Sequence, residues 1–338
     1  MSNRVANEVS GQAKPRFTAY PRTGRVPLVS ALAALAWAAA GFVTASLPDR
    51  PESDWAYTGE LAALFGAVAA LVMVAVVVEG RFAGKRRFKA LSPWLLALAL
   101  FLVAWELVTA KYGLLPLPFF PPPQAIVEVV LDDNVRLVEG IFASGRLLAT
   151  GYFLGAAIGF VIGIAIGWSR LAGYWIHPIL RFIGPLPATA WLPLAFFVFP
   201  SSVSASVFLI ALATGFPVTV LTWSGVAGVN SAYYDIARTL GASQRFLVLK
   251  VAIPAAMPHV FVGLFMGLGN SFAVLVVAEM LGVKAGLGWY LQWAQGWAAY
   301  ANMYAALLIM ALICSGLITL LFRVRDRLLS WQRGLVRW

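Results

Sequence analysis

Eight apolar runs, most of them about 20 residues or longer, dominate this chain of 338 residues. They lie near 27–47, 58–79, 92–110, 146–168, 176–199, 204–228, 258–282 and 303–323. A helix needs about 20 mainly apolar residues to cross ~30 Å of hydrocarbon. In lipid each span must satisfy its own backbone hydrogen bonds, and these runs are far longer than strands, so they are read as helices and not as barrel strands. Hydrophobic residues make up 61% of the chain and charged ones only 12%, against about 25% charged in soluble domains. A soluble fold of this length could not bury that much apolar surface. The run 27–47 follows basic residues as a secretory leader does, yet it is longer than a leader's apolar core and lacks a convincing cleavage site. It is kept as a span.

The net charge of +11 raises the question of nucleic acid. Its placement answers no, because the charge sits in short loops and at the two ends. With the N-terminus inside, segments 1–26, 80–91, 169–175, 229–257 and 323–338 face the cytoplasm. They carry five, five, one, three and five basic residues, 19 of the 25. Arg50, Lys111, Arg136, Arg146 and Lys284 fall outside, and Arg181 falls within a span. This bias predicts both termini inside. The external segment 111–145 begins stiffly, with Pro116, Pro118 and Pro121-Pro122-Pro123. Ala125 to Glu139 then reads as a short amphipathic helix along the outer surface. Cys314 is the single cysteine and lies in an apolar run, so neither a disulfide nor a cysteine metal site is expected. His177 and His259 stand apart with no carboxylate cluster beside them.

Two spans depart from a plain apolar helix. Gly151, Gly155, Gly159, Gly163 and Gly167 recur every four residues and form one slowly drifting ridge. A neighbouring helix can approach such a ridge closely, either as static packing or to slide. In the next span Pro185, Pro187 and Pro193 interrupt an apolar run. Proline removes backbone donors, and irregular backbone at membrane depth is tolerated where it is buried in protein or lines a cavity. Pro185, Pro187, Thr189, Trp191 and Pro193 are therefore placed near a central pathway or at a contact between two copies.

Between long apolar runs stands a polar segment, Asp235-Ile236-Ala237-Arg238-Thr239-Leu240-Gly241, followed after nine residues by Val251-Ala252-Ile253-Pro254. The charge bias places it in the cytoplasm. Its spacing resembles the EAA loop of bacterial ABC importer permeases, the loop on which a separate ATPase docks. Two more motifs resemble the nitrate, sulfonate, taurine and bicarbonate branch of that family. One is Pro185-Leu186-Pro187-Ala188-Thr189-Ala190-Trp191-Leu192-Pro193-Leu194. The other is Ala278-Glu279-Met280 followed by Gly286-Leu287-Gly288. The resemblance covers roughly residues 91–338. It departs from the family pattern at Asp235 in place of Glu, at Ile236 in place of Ala, at Gly184 where an Arg is common (Arg181 lies one turn earlier), and at Phe199-Pro200 in place of Phe-Gly.

The resemblance implies an all-α polytopic membrane protein: a six-helix permease core over 91–338, a coupling loop over about 229–257, and an N-terminal tail with two extra helices over 1–90. It implies two cytoplasmic ATPase subunits, a second permease copy and an external substrate-binding protein. No Gly-x-x-x-x-Gly-Lys-Ser/Thr loop is present to cradle phosphates. The chain is therefore expected to bind no cofactor itself, ATP and magnesium belonging to the partner ATPase, and to act as a transport subunit and not an enzyme. A short helix over about 234–247, stopped before Pro254, would form the lever. Asp235, Ala237, Arg238, Gly241, Arg245, Ile253 and Pro254 belong to that contact, with Gly241 letting the ATPase approach the backbone.

Glu279 lies near the outer end of its span, where an acid is costly and usually faces protein or water. It pairs with a cation, forms an outer gate with Gly286 and Gly288, or touches cargo. Glu106 is read as interfacial, and Asn270 and Ser271 as mid-span polar groups. A secondary transporter would need an inverted repeat with paired broken helices, and none is evident. A membrane-embedded enzyme would need an acid or histidine cluster at one face, which the chain does not offer.

Overall fold

The structure, a computed structural model, describes residues 26–50, 55–81 and 86–332. The basic residues of 1–25, Lys85, Arg333 and Arg337 lie outside them. Every regular element among the described residues is helical. Seven helices are long and apolar enough to cross a membrane, and a sharply bent pair supplies the remaining apolar run.

The chain forms two compact units, one of residues 1–117 with 122–124 and one of 118–121 with 125–338. In the first, α1 (Val26–Ser46) packs against α2 (Thr58–Arg81) and α3 (Arg86–Glu106). Ala33, Ala34, Ala40 and Ala99 are buried, since small side chains let helices in lipid approach closely. The Trp37 indole donates to the Leu95 carbonyl over 3.1 Å and meets Phe65 edge-on.

Glu106 is not interfacial: it is fully buried in this unit. The Thr44 hydroxyl donates to its Oε2 over 2.6 Å and the Gln124 amide to its Oε1 over 2.8 Å. Lys111 Nζ stands 3.7 Å from the same carboxylate. That ammonium also donates to the Thr44 and Leu47 carbonyls and to Asp49 Oδ1, at 3.0, 2.7 and 2.9 Å. The chain from α3 to Lys111 widens into one π turn, Leu107–Lys111.

The helices α4 (Pro123–Asp132), which the second unit holds from Ala125 onward, and α5 (Asn134–Trp168) come next. The expected helix over 125–139 is thus two elements: α4 ends at Asp132, and Asn134 to Glu139 are the first turns of α5. At 1.5 Å per residue α5 is about 52 Å long, well beyond the hydrocarbon thickness. The sequence cannot show this because its first turns are amphipathic and not apolar. Then come α6 (Arg170–Ile183), a 3-10 turn (Ala188–Trp191), α7 (Leu192–Val198) and α8 (Ser202–Ala227). A capping box starts α8: Ser201 Oγ accepts from the Ser204 N–H, and Ser204 Oγ accepts from the Ser201 N–H, satisfying donors that a helix start leaves free. After α9 (Ser231–Thr239) come α10 (Gln244–Phe246), a π segment (Leu247–Ala252) and α11 (Ile253–Leu281), then α12 (Leu287–Gly296) and α13 (Tyr300–Leu328).

The core of this unit is α8, packed between α5 and α11. Leu209, Ile210 and Ala213 of α8 meet Leu147 and Leu148 of α5 and Val274, Leu275 and Ala278 of α11. A second cluster joins Leu137 of α5 to Leu287, Tyr290 and Leu291 of α12 and to Ala306 and Met310 of α13.

Candidate functional site

The polar segment folds as a short exposed helix and a tight reversal. Asn230 Oδ1 accepts from the Ala232 N–H over 2.9 Å and caps the start of α9. At its end the Gly241 N–H donates to the Arg238 carbonyl and the Ala242 N–H to the Ala237 carbonyl, at 2.9 and 3.0 Å. This pair of bonds is a Schellman cap, which requires a left-handed residue, and Gly241 sits at φ +82°. No atom lies within 4 Å of where a Cβ on Gly241 would point. The glycine therefore closes α9, and its outer face is open.

Sequence reasoning placed a lever helix over 234–247 that stopped before Pro254. The helix instead stops at Thr239. A new one starts at Gln244, with Ser243 Oγ accepting from Phe246, and runs without a stop through Pro254 to Leu281. Proline lacks an N–H and its ring crowds the carbonyl four residues earlier. The wide segment just before it relieves that conflict, with the Ile253 N–H reaching back five residues to Val248. Ile253 and Pro254 are therefore half-buried helix residues at this widened turn, and Arg245 is exposed in the first turn.

Asp235 and Arg238 form an ion pair at 3.3 Å with both side chains more than half exposed, a contact worth only a few tenths of a kcal/mol to about 1. Beside them Tyr233, Ile236 and Leu240 stand 60%, 60% and 82% exposed. Their spacing of three and four residues puts them on one face. Sequence reasoning overlooked this apolar stripe, although its spacing was legible. On another side Tyr234 turns inward, its ring 5.7 Å from Trp168 at the end of α5. With Val226, Ala252 and Ala256 they form one cluster, so α9 touches the ends of α5, α8 and α11. Burial pushes the Tyr234 hydroxyl pKa up, and Arg238 partly offsets this.

The apolar run 176–199 is not one straight span. Between α6 and the 3-10 turn leading to α7 it bends by 87°, at Gly184 to Pro187. A cavity of about 690 Å³ adjoins the break on the α6 side, lined by Pro185 among others. A second of about 360 Å³ is lined by Pro187, Thr189 and Asn270. Trp191 and Pro193 line neither. Trp191 packs beside the central cluster with its buried indole N–H unpartnered. Pro193 occupies the first turn of α7, where a missing N–H costs nothing. Ser271 donates to the Leu268 carbonyl of its own helix and bridges nothing.

Gly151, Gly155, Gly159, Gly163 and Gly167 of α5 all face α8. A Cβ on Gly155 would collide with the Ala211 backbone, one on Gly159 would lie 2.5 Å from the Gly215 carbonyl, and one on Gly163 2.7 Å from that of Thr219. Gly151 and Gly167 stand equally close to Ile210 and Val226.

Glu279 is 1% exposed and meets no cation among the described residues. Its Oε2 accepts from the Ser144 hydroxyl over 2.9 Å and from the Gly288 N–H over 2.8 Å. Ser144 Oγ in turn accepts from the Leu287 N–H over 2.8 Å. The carboxylate thus sits on the first turn of α12, where free N–H groups favour negative charge. Gly286 has φ +117°, and a Cβ there would strike the Glu279 carboxylate. Nearby, Asp133 Oδ2 accepts from the Tyr290 hydroxyl and the Asn302 amide, at 2.7 and 3.0 Å. Burial raises the pKa of the Tyr290 hydroxyl; the Asn302 hydrogen bond opposes this and Asp133 adds to it. No group of three metal-ligating side chains occurs among the described residues.

A family described as binding-protein-dependent transport system inner membrane component matches residues 155–333. Over 240 residues the chain is 32% identical to a Brucella abortus (strain 2308) protein named "Probable ABC transporter permease protein", covering 70% of this chain and 94% of that one. It is 28% identical over 262 residues to a nitrate import permease protein of Synechococcus elongatus, covering 74% and 91%. It is 32% identical over 212 residues to a bicarbonate transport system permease protein of the same species, covering 61% and 73%. The matched residues contain the capped α9 reversal, the broken α6–α7 span and the Glu279–Gly288 contact together, and on that ground the chain belongs to the binding-protein-dependent ABC importer permeases, in the branch of the nitrate and bicarbonate systems, as a multi-pass inner-membrane transport subunit and not an enzyme.

Proposed function

We propose that this chain forms the pathway of an importer for a small oxyanion, of the nitrate, bicarbonate, sulfonate or taurine type. Two permease copies, two cytoplasmic ATPases and an external binding protein make up the working assembly, with both permease termini in the cytoplasm. ATP and magnesium belong to the ATPase. The observation that carries this reading is the apolar stripe Tyr233, Ile236 and Leu240 beside the Asp235–Arg238 pair, on a helix held out by caps at both ends. An apolar patch rimmed by charge is what a protein partner covers. The relatives named for nitrate and bicarbonate transport support an anionic cargo, and family membership speaks against a secondary transporter.

Force would enter at α9 and pass inward through Tyr234. Because its cluster reaches the ends of α5, α8 and α11, a tilt of α9 presses on three spans at once. The side-chain-free face between α5 and α8 lets backbones move past each other, which alternating access requires.

Gly241→Asp tests the docking. Asp tolerates the left-handed region better than most residues, so the cap persists while bulk and charge enter the open face. Co-purification of the ATPase is expected to fall by about tenfold or more, equal to ~1.4 kcal/mol, with the chain still inserted. Normal assembly and uptake would rule out this surface. A reporter fused at Asp235 is expected to score cytoplasmic, and an external score would reverse the orientation.

A further inference from the structure

The two cavities at the α6–α7 break share a wall made by Gly184 and Phe216. The larger is lined by Tyr174, His177, Arg181 and Trp223, among others, and the smaller by Thr189 and Asn270. No Asp or Glu lines either one, and Arg181 is the single Lys or Arg among their lining residues. Arg181 is exposed and makes no ion pair among the described residues. A charge in an apolar run that crosses a membrane is rare, and it usually faces protein or a water-filled cavity on an ion or substrate path. A guanidinium is a permanent positive charge whose N–H groups donate charge-assisted hydrogen bonds to an oxyanion.

Gly184 explains why the charge stands one turn back. A Cβ at that position would lie 2.6 Å from the Phe216 ring and 2.9 Å from the Leu180 carbonyl. A long side chain at 184 would require Phe216 to leave the wall between the cavities. With glycine there, Arg181 projects into the larger cavity, and the way past Gly184 stays free of side chain.

We propose that the transported oxyanion, entering from the outer side past the neutral donors of Thr189 and Asn270, passes Gly184 and is received by Arg181 in the larger cavity. This rests on the oxyanion reading of the cargo. A guanidinium with no fixed partner holds an anion loosely, so the anion is attracted without being trapped.

The test uses the full complex with its ATPase and binding protein in proteoliposomes, with isotopically labelled nitrate, bicarbonate and methanesulfonate as probes. Arg181→Gln is expected to reduce import of the transported anion by about tenfold or more, the range for losing a hydrogen bond to a charged group. Arg181→Lys should stay within about threefold of wild type, and the binding protein's affinity for the anion should not change. A second arm uses Arg181→Cys with Cys314→Ser, so that the new thiol is the only one on this chain, with modification done on the purified permease before the ATPase and binding protein are added. Attachment of an aminoethyl group should restore import, and attachment of a sulfonatoethyl group should not. Wild-type import of an anion with Arg181→Gln undiminished, or equal rescue by both groups, overturns the assignment. Loss in Arg181→Gln of a dependence on anionic lipid, with import kept, would give Arg181 to a lipid phosphate instead. A wild-type complex that moves only neutral or cationic solutes would overturn the cargo reading itself, a result separable from the others.

Discussion

Glu279 decides the arrangement around it by serving two donors with one oxygen. The Gly288 N–H and the Ser144 hydroxyl both end on Oε2, and Ser144 is itself held by Leu287. Removing the acid leaves two buried donors without partners, at roughly 1–3 kcal/mol each. Glu279→Ala should therefore cost about 3 kcal/mol in denaturant unfolding of the purified chain in detergent. Glu279→Gln keeps an acceptor in place and should cost about 1 kcal/mol or less. A larger loss in Gln than in Ala would mean that the charge, and not the acceptor, holds α12. Gly286→Ala should be worse than Gln, since its methyl meets the carboxylate and its backbone lies in a region few residues but glycine adopt. The sequence made Glu279 conspicuous as a membrane acid and set Gly286 and Gly288 near it. It could not supply Ser144, 135 residues away, so a cation partner, a gate and cargo contact all stayed open. A carboxylate that caps a helix needs no cation.

At the scale of elements, the glycine ridge on α5 was legible because its period matches a helix face, but the partner was not. The structure gives it α8, and the fit is backbone against backbone. Gly155→Ala is expected to destabilise by about 1–3 kcal/mol, the usual cost of overpacking, because the Ala211 main chain cannot step aside as a side chain can. Gly145→Ala in the same helix meets nothing within 4 Å and should be neutral or slightly stabilising, since alanine is the better helix former. The difference between these variants isolates the contact from helix propensity, and equal melting temperatures would show that α5 and α8 do not need their close approach. Other elements were legible only in part. Pro254 looks like a stop because local rules count its missing donor. The wide turn beside it, which lets the helix continue, has no comparable sequence signal. Gly184 to Pro187 read correctly as an interruption, but not as an 87° bend, because proline content does not set the angle between the helices it separates.

At the scale of the whole molecule, the family match at 155–333 lies within the second unit, and the first unit carries chemistry of its own. Nothing in the run 92–110 foretold that Glu106 is buried, because Thr44, Lys111 and Gln124 reach it from outside that run, and Asp49 in turn holds Lys111. A buried ion pair adds little net stability when complete, but breaking it costs about 3–5 kcal/mol. Deleting residues 1–84 would take Thr44, Leu47 and Asp49 from Lys111 and Glu106 while keeping both charges. The shortened chain should therefore accumulate poorly in the membrane. Adding Glu106→Gln and Lys111→Met to it removes the stranded charges and should restore most of the inserted yield. In the full-length chain the same pair of substitutions should lower stability, because Asp49 and two backbone carbonyls lose the ammonium they now share. The sign of the double substitution is thus expected to reverse between the two chains, as read by membrane-fraction yield and by melting in detergent. A truncated chain that inserts at full yield with Glu106 and Lys111 intact would show that α3 stands without this network, and that the first two helices serve some other purpose than closing it.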